Sequence, residues 1–232
     1  TRFSVVDLLT SLSGIIPAGI ALAFGIIAFE YGMDQAQFIT VAGLGTGTIC
    51  LLTTLLLASR ANRASSYLLL ARLRQRSELL IAILISGLCV TAVLSILITV
   101  GNLAAGRLVL DFPSALWIVP TWLAIWLLAA SLALPLSALT SQGGSHLVGY
   151  VLLVALLVAS EKKATLQARG LDWLARAVTT ILWPISTLLA QASRGIHGRV
   201  YWLGLALTLT YALLLFFLAS QLFIDTDLLW AE

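Results

Sequence analysis

The chain is a succession of apolar runs of about 20 residues separated by short polar breaks, the pattern of helices that cross a bilayer. Taking the breaks in order places spans at about 14–33, 38–58, 79–101, 116–138, 145–160 and 201–223. Residues 1–13 are mildly amphipathic and suit an interfacial helix leading into the first span. Pro17 falls in that span's first turn, where a missing N–H costs least, and Glu30 and Asp34 close it with acidic charge. No small-residue cleavage site follows, so the run reads as a span and not as a removable signal. The third span is expected to end at Gly101-Asn102; the fourth contains Pro120 and Pro135; the fifth is short and is cut off by Glu161, Lys162 and Lys163.

Two segments break the pattern. Residues 59–78 hold five of the thirteen basic residues, Arg60, Arg63, Arg72, Arg74 and Arg76. An arginine at the bilayer centre costs roughly 3 kcal/mol on the insertion scale, so this loop lies outside the hydrocarbon, and its charge places it in the cytoplasm. Tyr67, Leu68, Leu69, Leu70 and Leu73 fall between the arginines at near-helical spacing, which predicts a short amphipathic helix on the cytoplasmic membrane face. The second irregular segment is 161–200, where an apolar piece of about 13 residues around Pro184 is too short to span comfortably. It predicts a re-entrant or interfacial hairpin at about 171–193. Six spans then leave both termini cytoplasmic. The six basic and two acidic residues of 161–200 pull the other way, because a crossing over 177–193 would bring Arg194 and Arg199 inside. Span length and Pro184 favour six.

Composition agrees with the pattern. Hydrophobic residues make up 60% and charged residues 10%, with mean hydropathy +1.05, against about 25% charged in soluble domains. The expected fold is therefore all-α, a polytopic membrane helical bundle forming a single transmembrane domain over 1–232. The net charge of +3 is accounted for by topogenic arginines and gives no case for nucleic acid. Cys50 and Cys89 lie inside apolar runs without metal spacing and read as small core residues. Gly43 and Gly47 form a G-x-x-x-G pair that lets another helix approach closely; no lysine follows, so a phosphate loop is a poor alternative.

Candidate chemistry is sparse. His146 and His197 fall on opposite membrane faces in a six-span chain, which disfavours a haem held between them. Ser141 and Ser145 belong to the polar turn 139–146. Trp117 suits the interfacial belt, while Trp122 and Trp126, one turn apart and deeper, suit lipid contact or helix packing. The spans carry no central Asp, Glu, Lys or Arg, which disfavours ion coupling. No catalytic residue, cofactor or metal is expected, and any energy should come from a partner.

An amphipathic cytoplasmic helix between spans two and three resembles the permease subunit of ABC-2-type transporters. The resemblance rests on SSYLLLARLRQRSELLIA (65–82), on the short fifth span followed by a hairpin, and on WPISTLLAQASRG leading to the last span and FIDTDLLW (183–230). It implies a bacterial inner-membrane permease that moves an amphipathic or hydrophobic substrate, with ATP hydrolysed by a separate cytoplasmic ATP-binding subunit. It also implies that Tyr67, Leu68, Leu69, Arg72, Arg74 and Arg76 form the coupling contact with that subunit. A second permease copy or a paralogue would complete a path lined by spans two and five. The alternative is a non-catalytic structural or assembly subunit of a larger membrane complex, whose arginines set topology and hold acidic lipid heads.

Overall fold

Asp34 starts the first long helix by capping it. Its carboxylate accepts the Gln37 N–H at 2.7 Å and its carbonyl accepts the Phe38 N–H at 2.9 Å, so the helix begins at once, three residues before the span predicted from hydropathy. This helix, α1 (Gln35–Ala61), belongs to a computed structural model that describes residues 18, 19, 21–23, 25, 26, 34–61, 76–110, 112–137, 180, 183–195 and 197–225. The other helices are α2 (Arg76–Ala104), α3 (Phe112–Ala133), α4 (Trp183–Ser193) and α5 (Arg199–Asp225). The residues described between 18 and 26 are helical as well, and the described residues contain no strand.

Four segments are long and apolar enough to cross a membrane: Gln35–Ala61, Ser77–Ala104, Ala115–Ala133 and Arg199–Phe223. They coincide with the predicted spans 38–58, 79–101, 116–138 and 201–223, and the chain is an integral membrane protein whose regular structure, among the described residues, is all helical. Only scattered residues of 14–33 are described. The predicted span 145–160 and the loop helix of 62–75 lie outside the described residues.

Helix ends differ from the sequence expectation for local reasons. α2 does not stop at Gly101-Asn102 but runs on to Ala104. Gly106, at φ 66°, closes it with the Gly106 N–H on Leu103 and the Arg107 N–H on Asn102, the bond pair of a Schellman cap. α3 ends at Ala133, short of the predicted 138, and turns through Pro135, with both the amide and the hydroxyl of Ser137 on the Leu134 carbonyl (3.1 and 2.6 Å). Pro120 is kept inside α3, which bilayer-embedded bundles tolerate where neighbouring groups satisfy the freed carbonyl. Pro184 lies in the first turn of α4, where its missing N–H breaks no helical bond.

Cross-helix contacts fix the directions. Ile39 and Cys50 of α1 bond Trp122 and Trp126 of α3, so α1 and α3 run parallel. Tyr201 of α5 bonds Thr121, while Ala219 and Phe223 pack with Leu134, so α5 runs parallel to both. α2 runs antiparallel to α1, its Leu80 and Ile83 meeting Leu57 and Ala58. α4 folds back along the first half of α5, where Gly204 lies against the Pro184 carbonyl and Leu188. At 11 residues it is about 16 Å long, half of a hydrocarbon core of about 30 Å.

The central element is α1. Within the bundle 67% of its membrane window is buried, against 44% for α3, 28% for α2 and 22% for α5. The broad apolar faces left by α2 and α5 include Val93, Ile96, Leu97, Leu213, Leu214 and Phe217, as lipid contact requires.

Candidate functional site: the two ends of the bundle

The residues expected to form the coupling contact fall in the loop joining α1 to α2. Tyr67, Leu68, Leu69, Arg72 and Arg74 lie outside the described residues; Arg76 is the first residue of α2. The platform beneath the loop is described. Arg60 occupies the last turn of α1, where a cation complements the helix dipole, and Glu78 the first turn of α2, where an anion does. Below them Leu57, Ala58, Leu80, Leu134, Ala219 and Phe223 pack at 4% exposure or less. This cluster ties α1, α2, α5 and the end of α3 together at the arginine-rich end.

Between the two ends, the contact of α1 with α3 is the most specific interface described. A Cβ on Gly43 would sit 3.0 Å from Trp122 Nε1 and 3.1 Å from Leu189 of α4, and one on Gly47 would sit 2.9 Å from Ile125 Cγ2. The two glycines thus face side chains of α3 and α4. Trp122, read from sequence only as a packing or lipid residue, is buried and donates its indole N–H to the Ile39 carbonyl at 3.1 Å. Trp126 donates to Thr46 Oγ1 at 2.9 Å, and Thr46 passes its own proton to the Ala42 carbonyl at 2.6 Å. Packing, not lipid contact, is the outcome for both indoles. On the other side of α1 a Cβ at Gly87 would run into Thr54 Oγ1.

The cysteines differ from one another. Cys50 is buried with its thiol on the Trp126 carbonyl at 3.4 Å, whereas Cys89 is exposed on α2. The reading of both as core residues is therefore corrected for Cys89: in a bilayer-facing helix an apolar run marks lipid contact as readily as core. Among the described residues no three His, Cys, Asp or Glu side chains gather as a metal site, and the fully buried polar residues are threonines, serines and Asn102.

The end opposite the arginine-rich loop holds a cluster that the sequence reading missed. His197, just before α5, stacks on Trp117 of α3 with ring centroids 4.0 Å apart, and Tyr201 meets both rings edge-on at 5.2 and 5.8 Å. Trp202 closes the group at 5.9 Å from Trp117. Thr121 donates to the Trp117 carbonyl at 2.8 Å, which leaves the Tyr201 hydroxyl to donate to Thr121 at 3.0 Å. His197 Nε2 is buried with no hydrogen-bond partner, and burial holds the imidazole pKa below its ordinary 6.5. A signal was present: Trp117 and Thr121, like His197 and Tyr201, stand one helical turn apart near the starts of α3 and α5. His146, the other histidine, lies outside the described residues. No protein-family model matches this chain, and neither does any curated protein or solved structure.

Proposed function

We propose that this chain is the membrane-spanning permease subunit of an ATP-driven transporter of the ABC-2 type, moving an amphipathic or hydrophobic substrate while a separate subunit hydrolyses ATP. The observation that carries the reading is the course of the last third of the chain. α4 is half a membrane long, lies at the end opposite the arginine loop and folds back on α5, which runs parallel to α1 and α3. A short hairpin limb before the last span is what the six-span arrangement requires. A seventh crossing over 177–193 would make α5 antiparallel to α1. With the arginine loop cytoplasmic, α1, α3 and α5 all run inward, and the aromatic cluster lies at the outer face.

The buried polar groups support the same reading. Thr46, Thr53, Thr54, Thr91 and Ser95 each donate to a carbonyl four residues back in their own helix. Such hydroxyls carry no charge and are bonded to their own helices, which suits a cargo driven by a partner's ATP. The competing reading, a structural or assembly subunit, draws on the wide apolar faces of α2 and α5.

Purification from the native membrane with identification of what accompanies the chain separates the two. A stoichiometric nucleotide-binding subunit supports the permease; a cofactor-bearing complex without one supports the scaffold. In reconstituted vesicles, replacing Arg72, Arg74 and Arg76 together by Ala should abolish ATP-driven transport while leaving membrane insertion intact. Transport at the wild-type rate by that variant would overturn the coupling role.

A further inference from the structure

Where the described helical residues between 18 and 26 approach α2, the two elements form an open apolar groove of about 590 Å³. Ala18, Ala21 and Gly25 line one wall and Ile98, Gly101 and Asn102 the other. The helices touch where a Cβ on Gly25 would meet Ile98 at 3.8 Å, and they part at Gly101, where a Cβ would meet nothing within 4 Å. Leu22 and Leu97 on the rim are 65% and 62% exposed, and the α2 wall lies inside the membrane span Ser77–Ala104. The groove is thus continuous with the lipid-facing surface of α2 and opens into hydrocarbon, where water is excluded and an empty channel would forfeit dispersion contacts along both walls. At its boundary end stands the side chain of Asn102, with its amide N–H on the Ile98 carbonyl at 2.8 Å, followed by the polar Gly106-Arg107 turn.

From this continuity we infer that the groove is a resident lipid site that holds one acyl chain of a membrane phospholipid, with its head group at the Asn102–Arg107 end. The occupant is structural and distinct from the transported cargo, so the inference stands whether or not the permease reading does. The test uses the full chain in bilayers of phosphatidylethanolamine and phosphatidylglycerol, one carrying a diazirine at the end of an acyl chain. Irradiation and peptide mapping locate the contact, and native mass spectrometry after delipidation counts the lipid retained. Gly101→Phe fills the groove from a position with free space, Ala18→Phe fills it from the other wall, and Ile96→Phe places the same aromatic side chain on α2 outside it. The expected result is one phospholipid per chain and labelling centred on Leu97 and Leu22. Occupancy should fall about tenfold, equivalent to about 1.4 kcal/mol, in both groove-filling variants and stay unchanged in Ile96→Phe. The proposal is overturned by uniform labelling of α2, by equal retention in all variants, or by a second copy of the chain in place of the lipid mass.

Discussion

Gly47→Ala is the most informative single perturbation of the bundle. A methyl group there would stand 2.9 Å from Ile125 Cγ2, closer than carbon atoms approach without repulsion, and Ile125 is itself buried on a helix that Trp122 and Trp126 pin to α1. Relief requires α1 and α3 to separate or Ile125 to leave its rotamer, at about 1–3 kcal/mol for overpacking. Alanine returns up to about 1 kcal/mol of helix propensity, so the net loss is up to about 2 kcal/mol, and the variant falls about 1–3 kcal/mol below one that collects the propensity gain alone. Gly101→Ala is the control, since its Cβ meets nothing within 4 Å and only the propensity gain remains. Reversible unfolding in bicelles, followed by a steric-trap or SDS titration, reads both. Ile125→Ala should cost stability alone yet absorb much of the Gly47→Ala penalty in the double variant, with a coupling of about 1 kcal/mol or more. Additive losses, or a Gly47→Ala protein as stable as Gly101→Ala, would refute this account of the α1–α3 contact.

Three further outcomes follow from other parts of the structure. Because burial lowers the His197 pKa below 6.5, the unfolded chain binds a proton there before the folded one does. Its contribution is therefore constant above that value and falls as pH drops through 6.5 toward the folded pKa; His197→Gln should flatten this part of the wild-type pH–stability curve. In variants that each keep a single tryptophan, brominated lipids should quench Trp202, which is 52% exposed, and leave Trp122 and Trp126 largely unquenched. Asp34→Ala removes the cap on α1 and should cost about 1 kcal/mol, with Asp34→Asn costing less, measured by the same unfolding assay.

How much of this was legible depended on whether a feature is local. The spans follow from apolar run length, which a bilayer dictates directly. The end of α2 was misplaced because two glycines, Gly101 and Gly106, compete for the stop, and only Gly106 takes the positive φ that a Schellman cap needs. Pro135 did carry a readable stop for α3, since the residue before a proline leaves the helical region, but the apolar run continued past it. What a side chain faces was not legible at all. Cys50 and Cys89, or Trp122 and Trp202, sit in equally apolar surroundings in sequence, because lipid tails and helix interiors select the same residues. The aromatic cluster joins residues 80 or so positions apart and needed the parallel course of α3 and α5 to be seen.

That course also constrains how a permease of this design could conduct. Every described helix pair that involves α1 is closed by small residues: Gly43 and Gly47 toward α3 and α4, and Gly87 of α2 against Thr54. The hydroxyls within these contacts are spent on their own helices' carbonyls, apart from the Thr46 oxygen that accepts the Trp126 N–H. The described interior therefore offers a cargo no width at these contacts, and among the described residues the buried polar side-chain atoms left without a hydrogen-bond partner are Ser86 Oγ and His197 Nε2. α1 keeps one stripe that its neighbours do not fully cover, with Val41 exposed and Leu44, Thr48, Leu52 and Leu56 half-buried, recurring every three or four residues. In the permease reading the path runs along that stripe and is completed from outside the described bundle, by the remaining span or by a second copy. The loop at the arginine-rich end would then act by shifting a nearly rigid α1–α3–α4–α5 unit, since the bonds of Trp122 and Trp126 leave α1 and α3 little freedom to move apart.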